Sequence, residues 1–331
     1  MTWMETNGNG KRQRRTPQDR RPGHWENALH DLVDWQTLRR HADVDIHSQA
    51  LRGVQLEQAV ADASVLVLLR ERTPVDAQLI AAMPRLKRIV CTGARNRTLD
   101  AQAAQAAGIT IVHTRGGPSK ASTCELTWAL ILAAKQRLMD VALRTDRRQW
   151  RPAQTWLAPT LAGKCLGVIG LGDIGQRVAA VGRAFGMDVV AWSPHMTAER
   201  AAAHGATSVP LPELLQTCDV VSLHLVPSPP TRGLLDAQKL ALMPPHSILV
   251  NTSRAELIDT PALVHALQSG RPGFCALDVY DDEPLPQDHP LLSLPNVLLT
   301  PHLGFVCREV MTAFAEDVQR HLVEYLGLPA D

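Results

Sequence analysis

A glycine-rich turn near the middle of the chain constrains the fold more than any other feature of the sequence. The apolar run CLGVIG (165–170) leads into GLGDIG (170–175), and an amphipathic stretch follows. An apolar strand, a glycine turn and a helix in this order are typical of a dinucleotide-binding β-α-β unit. Gly170 permits the tight turn, Gly172 lets the backbone approach a pyrophosphate, and Gly175 lets the helix pack closely on the strand. The helix N-terminus would then hold the pyrophosphate through its free N–H groups.

The strand after this turn ends without the acidic residue that such a site usually carries. It reads DVVAW (188–192) and is followed by Ser193. A carboxylate at that position bonds the ribose hydroxyls, and it would repel a 2′-phosphate, whereas a serine can bond either group. His195 and Arg200 lie close enough in sequence to meet a phosphate, although Arg200 also suits a solvated helix face. NAD and NADP therefore both stay open, and we favour NAD.

Apolar runs alternate with Ala- and Leu-rich stretches from about residue 24 onward. This alternation predicts an α/β fold with parallel sheets covered on both faces. The predicted strands are 64–69, 88–91, 109–113, 165–170, 188–192, 219–225, 247–252, 274–279 and 297–300. The stretch 124–143 contains neither Gly nor Pro and predicts one long helix. With the Trp- and Pro-bearing arm after it, this helix suits a domain connection and a partner surface, or simply a buried helix and loop.

The overall composition argues against several classes of protein. A length of 331 residues allows two domains, and a net charge of +1 gives no general attraction to nucleic acid or anionic membranes. No apolar run approaches the roughly 18 residues of a membrane span, and the N-terminus lacks the apolar core of a secretory signal. The six cysteines are scattered with no CxxC pair, which predicts buried free thiols in a cytoplasmic protein and no metal site. Residues 1–23 are polar and basic, and we expect a disordered tail there.

Three segments follow predicted strands in the second half of the chain, where ligands bind in open α/β sheets. They are NTSRAELID (251–259), ALDVYDDEPLPQDHPL (276–291) and TPHLGF (300–305), and they supply Arg254, Glu283 and His302. A guanidinium grips a carboxylate through two parallel hydrogen bonds. A histidine can give or take a proton near neutral pH, and a neighbouring glutamate fixes its tautomer. These residue types together predict proton-transfer chemistry on an acid substrate.

These motifs, in this order, resemble the NAD(P)-dependent D-2-hydroxyacid dehydrogenase family, in its phosphoglycerate dehydrogenase-like branch. The resemblance runs from about Asp34 to the C-terminus and includes RERTP (70–74), TGARN (92–96) and AFGMDVVAWS (184–193). It implies two doubly wound domains, with a Rossmann NAD(P)-binding domain (122–301) inserted in a flavodoxin-like substrate domain (24–121 and 302–331). It also implies a cleft that closes on the substrate, and a homodimer. Formate dehydrogenases are similar but carry Gln where Glu283 stands.

The resemblance implies a role for each matched residue in reducing a small 2-keto acid to a D-2-hydroxy acid. Arg254 would hold the substrate carboxylate, His302 would protonate the carbonyl oxygen, and Glu283 would orient His302. The backbone at Ala94 and Arg95 would bind the carboxylate from the other domain, and Asp278 would contact the nicotinamide carboxamide. The predicted cofactor contacts are completed by Gly170, Gly172, Asp173, Ile174, Gly175, Ser193, Thr123, Leu225 and Thr252.

The chain departs from the family where the first strand of the substrate domain is expected. QDRRPGHW (18–25) stands there, and its arginines, proline and glycine cannot form a buried strand. In a flavodoxin-like order this strand is internal, so its loss would leave both neighbours unpaired. MTWM (1–4) is the only apolar substitute, and it is short and distant. We therefore expect an incomplete or rearranged substrate domain beside an intact cofactor domain.

Two other functions stay open beside the dehydrogenase. A nucleotide-sensing protein would keep the fold and cofactor site for regulation, but it would not need Arg254, Glu283 and His302 together. A folding-impaired relic is supported only by the altered first strand. The sequence does not name the keto acid, although Arg72 and Arg95 could suit a second negative charge on it.

Overall fold

The chain forms two compact units, one inserted in the other. A computed structural model describes residues 2–6, 28–47, 51–144 and 156–329. The inserted unit is Ser119–Phe305, and the split unit combines Met1–Pro118 with Val306–Asp331. His302 therefore belongs to the inserted unit, although we expected it at the start of the returning substrate segment. The physical reason is that the backbone just after His302 is hydrogen-bonded to residues of the inserted unit.

The inserted unit is built on a parallel sheet of seven strands. These are β6 (Cys165–Ile169), β7 (Asp188–Trp192), β8 (Thr207–Ser208), β9 (Val220–Leu223), β10 (Ile248–Asn251), β11 (Phe274–Leu277) and β12 (Val297–Leu299). The helices are α6 (Ser119–Gln136), α7 (Leu138–Arg144), α8 (Asp173–Ala184), α9 (Ala198–Ala202), α10 (Leu211–Thr217), α11 (Ala237–Leu240) and α12 (Thr260–Gln268). The strand order is β12-β11-β10-β9-β6-β7-β8, which is the doubly wound order of a Rossmann fold. The order reverses between β6 and β9, and this reversal is the point where such folds bind ligands.

Hydrophobic clusters cover both faces of this sheet. Leu166 and Val168 of β6 pack in the cluster that includes Trp128 of α6 and Val178 of α8. Ile169, on the opposite face, packs with residues of α10, α11 and α12. Burial on both faces explains why these strands are continuously apolar in the sequence.

The stretch predicted as one helix over 124–143 is two helices. Arg137 separates α6 from α7 and has φ 48°, a left-handed conformation that a continuous helix cannot contain. The Arg137 guanidinium carbon lies 4.2 Å from the centre of the Trp156 ring, and Trp156 Nε1 donates to Lys135 O at 3.0 Å. The break therefore coincides with tertiary contacts, which the sequence of the helix does not reveal. The first half of the following arm, up to residue 155, lies outside the described residues.

The split unit contains a sheet of five strands in the order β2-β1-β3-β4-β5. These are β1 (Thr2–Thr6), β2 (Val44–His47), β3 (Ala63–Leu68), β4 (Arg88–Cys91) and β5 (Thr110–His113). The helices are α1 (Ala28–Leu32), α2 (Trp35–Leu38), α3 (Gly53–Val60), α4 (Ala77–Ala81), α5 (Ala101–Ala106) and α13 (Arg308–Tyr325). The order of the strands is the predicted flavodoxin-like order.

The internal position that we expected to be empty is occupied by β1. It pairs antiparallel with β2 on one side and with β3 on the other. The expectation of an incomplete sheet is therefore wrong, and so is the expectation of disorder over residues 2–6. The sheet is rearranged, because β1 runs antiparallel to both neighbours, and it is not the wholly parallel sheet that we predicted. Five residues are enough because they pair with the backbone groups of both neighbours, which would otherwise lack partners. The rest of the predicted tail, residues 7–23, lies outside the described residues.

The C-terminal segment is fixed to the rest of the split unit by a buried carboxylate. Asp317 of α13 is 1 % exposed, and its Oδ2 atom accepts a hydrogen bond from Arg115 N at 2.6 Å. The side chain of Arg115 and that of Arg320 also donate to Asp317. Burial alone would raise the pKa of the Asp317 carboxyl, but these hydrogen bonds hold that pKa below its ordinary value. In the described ranges, no helix is long and apolar enough to span a membrane.

Candidate active site

The glycine turn after β6 is closed in by the ends of two neighbouring strands. Gly170 has φ 99°, and its N–H donates to Trp192 O at 2.8 Å. A Cβ on Gly170 would lie 2.7 Å from the carbonyl carbon and oxygen of His224, so no other residue fits there. A Cβ on Gly175 would lie 2.0 Å from Gly170 O. Both positions are therefore glycine because backbone approaches backbone.

Gly172 differs, because the space beside it is open. It is the N-cap residue of α8, with φ −85°, and a Cβ built there would meet no protein atom within 4 Å. As a glycine it has no side chain to cap the N–H groups of the first helical turn. This open approach to a helix N-terminus fits the pyrophosphate of a dinucleotide. The residues present therefore fit the cofactor that the turn predicts.

The other predicted residues of the loop have their own contacts. The Asp173 carboxylate is exposed and pairs with Lys120, and this hydrogen bond lowers the pKa of the Asp173 carboxyl. Ile174 is half-buried and packs against the core. Ser193 lies directly after β7, at the same edge of the sheet, and is half-buried. Leu225 lies after β9, where its carbonyl accepts a hydrogen bond from Ser253 Oγ at 2.5 Å. Their contacts with a cofactor stay predictions.

Two predicted threonines belong to a chain of buried hydroxyl groups. Thr123 Oγ1 lies 2.9 Å from Gly304 O, to which it donates. Thr127, one turn further along α6, places its Oγ1 at 2.8 Å from Thr252 Oγ1. Thr127 was not among the predicted site residues, since a threonine inside an apolar helix gives no signal in the sequence. This hydroxyl chain joins α6 to the ends of the strands that carry the predicted site.

Asp278 holds the loop that carries His302. The carboxylate accepts hydrogen bonds from Thr300 Oγ1 at 2.6 Å, from Leu303 N at 2.7 Å and from Gly304 N at 2.9 Å. Burial raises the pKa of the Asp278 carboxyl, and the three hydrogen bonds offset part of that effect. Both oxygens are thus engaged within the chain. A contact with a nicotinamide carboxamide would have to share one of them.

The structure brings His302 and Glu283 together. His302 Nδ1 lies 2.7 Å from Glu283 Oε2, and the other carboxylate oxygen accepts a hydrogen bond from Tyr280 N at 3.1 Å. The ring of Phe305 meets the His302 ring edge-on, with 5.6 Å between their centres. His302 itself has φ 55°, which is uncommon for a residue other than glycine. The imidazole is therefore held through one nitrogen on a backbone that Asp278 holds in place.

Arg254 begins the short 3₁₀ helix Ala255–Leu257 after β10. Its guanidinium Nη1 donates to Ser253 O at 2.7 Å, and its own carbonyl accepts a hydrogen bond from Asn251 Nδ2 at 2.8 Å. The residue is half-buried. The sequence predicted Arg254 as a site residue. It did not reveal that Asn251 and Ser253 form hydrogen bonds that position this arginine.

Ala94 and Arg95, the predicted carboxylate-binding residues of the split unit, are exposed in the loop after β4. Gly93 precedes them with φ 82°, and its N–H donates to Thr114 Oγ1 at 2.7 Å. Arg70 contributes a side-chain hydrogen bond to Thr92 O at 3.2 Å and a backbone hydrogen bond to Thr92 Oγ1 at 2.8 Å. In the sequence, Arg70 was noted only as the first residue of the RERTP motif. Its hydrogen bonds to the loop after β4 were not predicted.

Comparison with known proteins agrees with the fold and with these motifs. The family model described as "D-isomer specific 2-hydroxyacid dehydrogenase, NAD binding domain" matches residues 128–304. A glyoxylate reductase of Aeropyrum pernix is 38% identical over 275 residues, covering 80% of this chain and 80% of the relative. A D-3-phosphoglycerate dehydrogenase of Methanocaldococcus jannaschii is 36% identical over 290 residues, covering 87% of this chain and 54% of the relative. The chain thus spans about half the length of the latter relative.

Solved structures give the same result. A phosphoglycerate oxidoreductase from Vibrio cholerae has a TM-score of 0.83 and 35% identity, covering 92% of this chain and 96% of the other. The fold and the glycine turn of this chain together define an α/β protein of two units, one of which is a Rossmann nucleotide-binding unit. The chain belongs to the D-isomer specific 2-hydroxyacid dehydrogenase family, a family of nicotinamide-dependent oxidoreductases.

Proposed function

We propose that this chain reduces a small 2-keto acid to a D-2-hydroxy acid, with His302 as the proton donor to the carbonyl oxygen. The observation that carries this proposal is the 2.7 Å contact between His302 Nδ1 and Glu283 Oε2. With Nδ1 held by the carboxylate, Nε2 is the nitrogen that can present a proton to a substrate. A sensor function has no comparable observation in its favour in the part of the chain that the structure describes.

Each residue of the candidate site would have its own role in such a reduction. The Arg254 guanidinium would bind the substrate carboxylate and polarise the adjacent carbonyl. A nicotinamide cofactor, with its pyrophosphate at the glycine turn, would supply the hydride. His302 would give its proton to the carbonyl oxygen, and Glu283 would stabilise the protonated imidazole and keep its orientation. In the split unit, the backbone at Ala94 and Arg95 would contribute to carboxylate binding.

The experiment is a comparison of the purified full chain with His302→Ala. Nicotinamide absorbance is followed with glyoxylate and with hydroxypyruvate, using NADH and NADPH in parallel. We expect turnover to fall about 10²- to 10⁴-fold, the range typical of a positioned general acid, while cofactor binding is kept. His265→Ala on α12 is the matched control. Unchanged turnover in His302→Ala would remove His302 from the mechanism.

The finer identity of cofactor and substrate also belongs to this proposal. We favour NADH as the cofactor, and the ratio of rates with the two cofactors tests this preference. Glyoxylate and hydroxypyruvate are the first keto acids to compare, because relatives of the chain are named for glyoxylate and phosphoglycerate. If Arg72 or Arg95 receives a second negative charge, phosphohydroxypyruvate should have a lower KM than hydroxypyruvate.

We propose a homodimer in the cytoplasm for the whole molecule. Leu138 and Met139 of α7 are 54 % and 47 % exposed, and Leu157, in the arm that follows α7, is 96 % exposed. Large apolar side chains of this kind are expected beneath a partner subunit. Sedimentation equilibrium should give twice the chain mass, and Leu157→Glu should shift the equilibrium toward the monomer. Cell fractionation tests the location, for which six free thiols are the supporting observation.

A further inference from the structure

The structure brings together two cysteines that lie far apart in the sequence. Cys165 begins β6, and Cys218 follows α10, 53 residues later in the chain. Their sulfur atoms lie 2.7 Å apart. The other four cysteines, Cys91, Cys124, Cys275 and Cys307, form no such pair.

The backbone of the sheet holds this pair in place. Cys165 O accepts a hydrogen bond from Asp219 N at 3.0 Å, and Cys165 N donates to Asp219 Oδ2 at 2.9 Å. Cys218 directly precedes Asp219, so both sulfurs are carried on backbone fixed by the pairing of β6 with β9. A disulfide bond is about 2.05 Å long. The two sulfurs are therefore less than about 1 Å from bonding distance.

The two thiols are unequal in exposure. Cys218 is 0 % exposed, whereas Cys165 is half-buried. The pKa of the Cys165 thiol is lowered because Cys218 donates a hydrogen bond to its sulfur, while that interaction and burial raise the pKa of the Cys218 thiol. Cys165 is therefore the thiol that a small oxidant reaches first, and Cys218 is positioned to react with the product.

We propose that Cys165 and Cys218 are a redox modification site that closes reversibly to a disulfide on exposure to a hydroperoxide. In the first step the Cys165 sulfur attacks the peroxide and becomes a sulfenic acid, releasing one water molecule when the oxidant is hydrogen peroxide. In the second step the Cys218 sulfur attacks the sulfenic sulfur, forming the S–S bond and releasing a second water molecule. The two thiols are oxidised by two electrons, and the peroxide is reduced. A dithiol reverses the change by exchange.

The position of the pair determines the effect of the cross-link. It joins the amino ends of β6 and β9, whereas the glycine turn and Leu225 lie at the carboxyl ends of the same strands. The closed loop contains β6, β7, β8 and helices α8 to α10. Closing it restricts the unfolded chain, so the oxidised protein should unfold at a higher temperature. Cofactor affinity should change less than twofold, because the cofactor turn is at the opposite edge of the sheet.

The test treats the native full chain with hydrogen peroxide and removes the oxidant. The chain is then unfolded so that N-ethylmaleimide can block every remaining thiol, and the digested peptides are mapped by mass spectrometry. We expect one cross-linked peptide pair containing Cys165 and Cys218, four alkylated cysteines, a Tm raised by several degrees, and reversal of all three by dithiothreitol. Dimedone should label Cys165 in Cys218→Ser and label neither position in Cys165→Ser. Cys275→Ser removes a buried thiol elsewhere in the same sheet and should cross-link as the native chain does.

Two results would overturn the proposal. One is oxidation of other cysteines in the native chain while Cys165 and Cys218 both remain free thiols, which N-ethylmaleimide labels once the quenched chain is unfolded. The other is a cross-link that forms only in denaturant, which would show that the folded protein does not present the pair. Both results are measured with the unsubstituted chain, so neither depends on whether a variant folds.

Discussion

The Asp278 carboxylate is hydrogen-bonded to the backbone of Gly304, with Oδ2 2.9 Å from the Gly304 N–H. Its other oxygen accepts the N–H of Leu303 at 2.7 Å. These two residues directly follow His302, so a buried acid holds the segment from which the imidazole projects. In the proposed reaction Asp278 would act through this backbone, as a positioning residue.

Asp278→Asn should therefore damage both stability and turnover. One carboxylate oxygen becomes an NH₂ group, and that group must face a backbone N–H. The unsatisfied pair should cost about 1–3 kcal/mol in the free energy of unfolding. Turnover should fall by up to about 10²-fold as the imidazole shifts. Urea unfolding and steady-state kinetics measure the two effects, and normal values of both would contradict the role. Asp281→Asn, in the following loop, is the control.

Glu283→Gln should show whether Glu283 supports the reaction through His302 without contributing to the stability of the fold. The amide can still bond Tyr280 N but carries no charge to stabilise a protonated His302. We expect kcat to fall about 10²-fold, at the lower end of what a positioned general acid contributes. KM for the keto acid and the Tm should change little. Glu213→Gln on α10 should behave as the native chain, and a loss confined to KM would argue against the proposed role.

Gly172→Ala and Gly175→Ala form a matched pair of substitutions in the cofactor turn. A Cβ at position 172 meets no protein atom within 4 Å, so this variant should fold with nearly native stability. It should bind NADH at least tenfold more weakly, because the methyl group occupies the approach to the pyrophosphate. At position 175 the Cβ would lie 2.0 Å from Gly170 O, so stability should fall as well. Thermal unfolding and fluorescence titration distinguish the two, and equal NADH affinity in Gly172→Ala and the native chain would exclude this binding mode.

Asp317 should make the stability of the split unit depend on pH. Because the folded-state pKa of this carboxyl is lowered, its stabilising contribution is complete above the unfolded-state value of about 3.9. The contribution is lost as the pH falls through the lower folded-state value. Asp317→Asn should therefore cost about 1–3 kcal/mol near neutral pH, and the difference from the native chain should shrink below about pH 3.9. Urea unfolding across this pH range measures it, and a gap that stays constant into acid would refute the assignment.

Backbone amides of β2 and β3 should be protected from hydrogen exchange. Both strands pair with β1 along their length, so the amides of residues 44–47 and 63–68 that bond to it should exchange slowly. Deleting residues 2–6 should remove that protection while the strands of the inserted unit stay protected. Rapid exchange of β2 and β3 in the full chain would show that β1 does not hold this position in solution.

Periodicity and glycine chemistry were sufficient to predict most of the fold. All nine predicted strands are present, since each is a short apolar run between turns. β1 was missed because its position in the sheet is set by the unsatisfied edges of β2 and β3. β2 (Val44–His47) and β8 (Thr207–Ser208) were missed as well, and the two residues of β8 carry no periodic signal. The break at Arg137 coincides with a tertiary contact to Trp156, and helix propensities do not predict tertiary contacts.

The candidate site was predictable where residues follow strand ends in order. Arg254, Glu283 and His302 were found in this way, and the structure brings the last two into contact. The supporting groups were not found, because Thr127 and Arg70 act through hydrogen bonds across different elements. The Cys165–Cys218 pair was missed for a similar reason, since adjacency of β6 and β9 is a property of the sheet order.

The insertion of one unit within the other makes the two unequal as pieces of polypeptide. Ser119–Phe305 is continuous and can be produced as a single fragment, whereas the other unit needs α13 from the far end of the chain to satisfy Asp317 and Arg115. A single proteolytic cut anywhere in the inserted unit therefore breaks the covalent link between the two halves of its host, whereas two cuts, one at each junction, are needed to free the inserted unit. Limited proteolysis at the two junctions would for this reason release one continuous nucleotide-binding fragment, and the split unit would be left as two separate pieces of polypeptide.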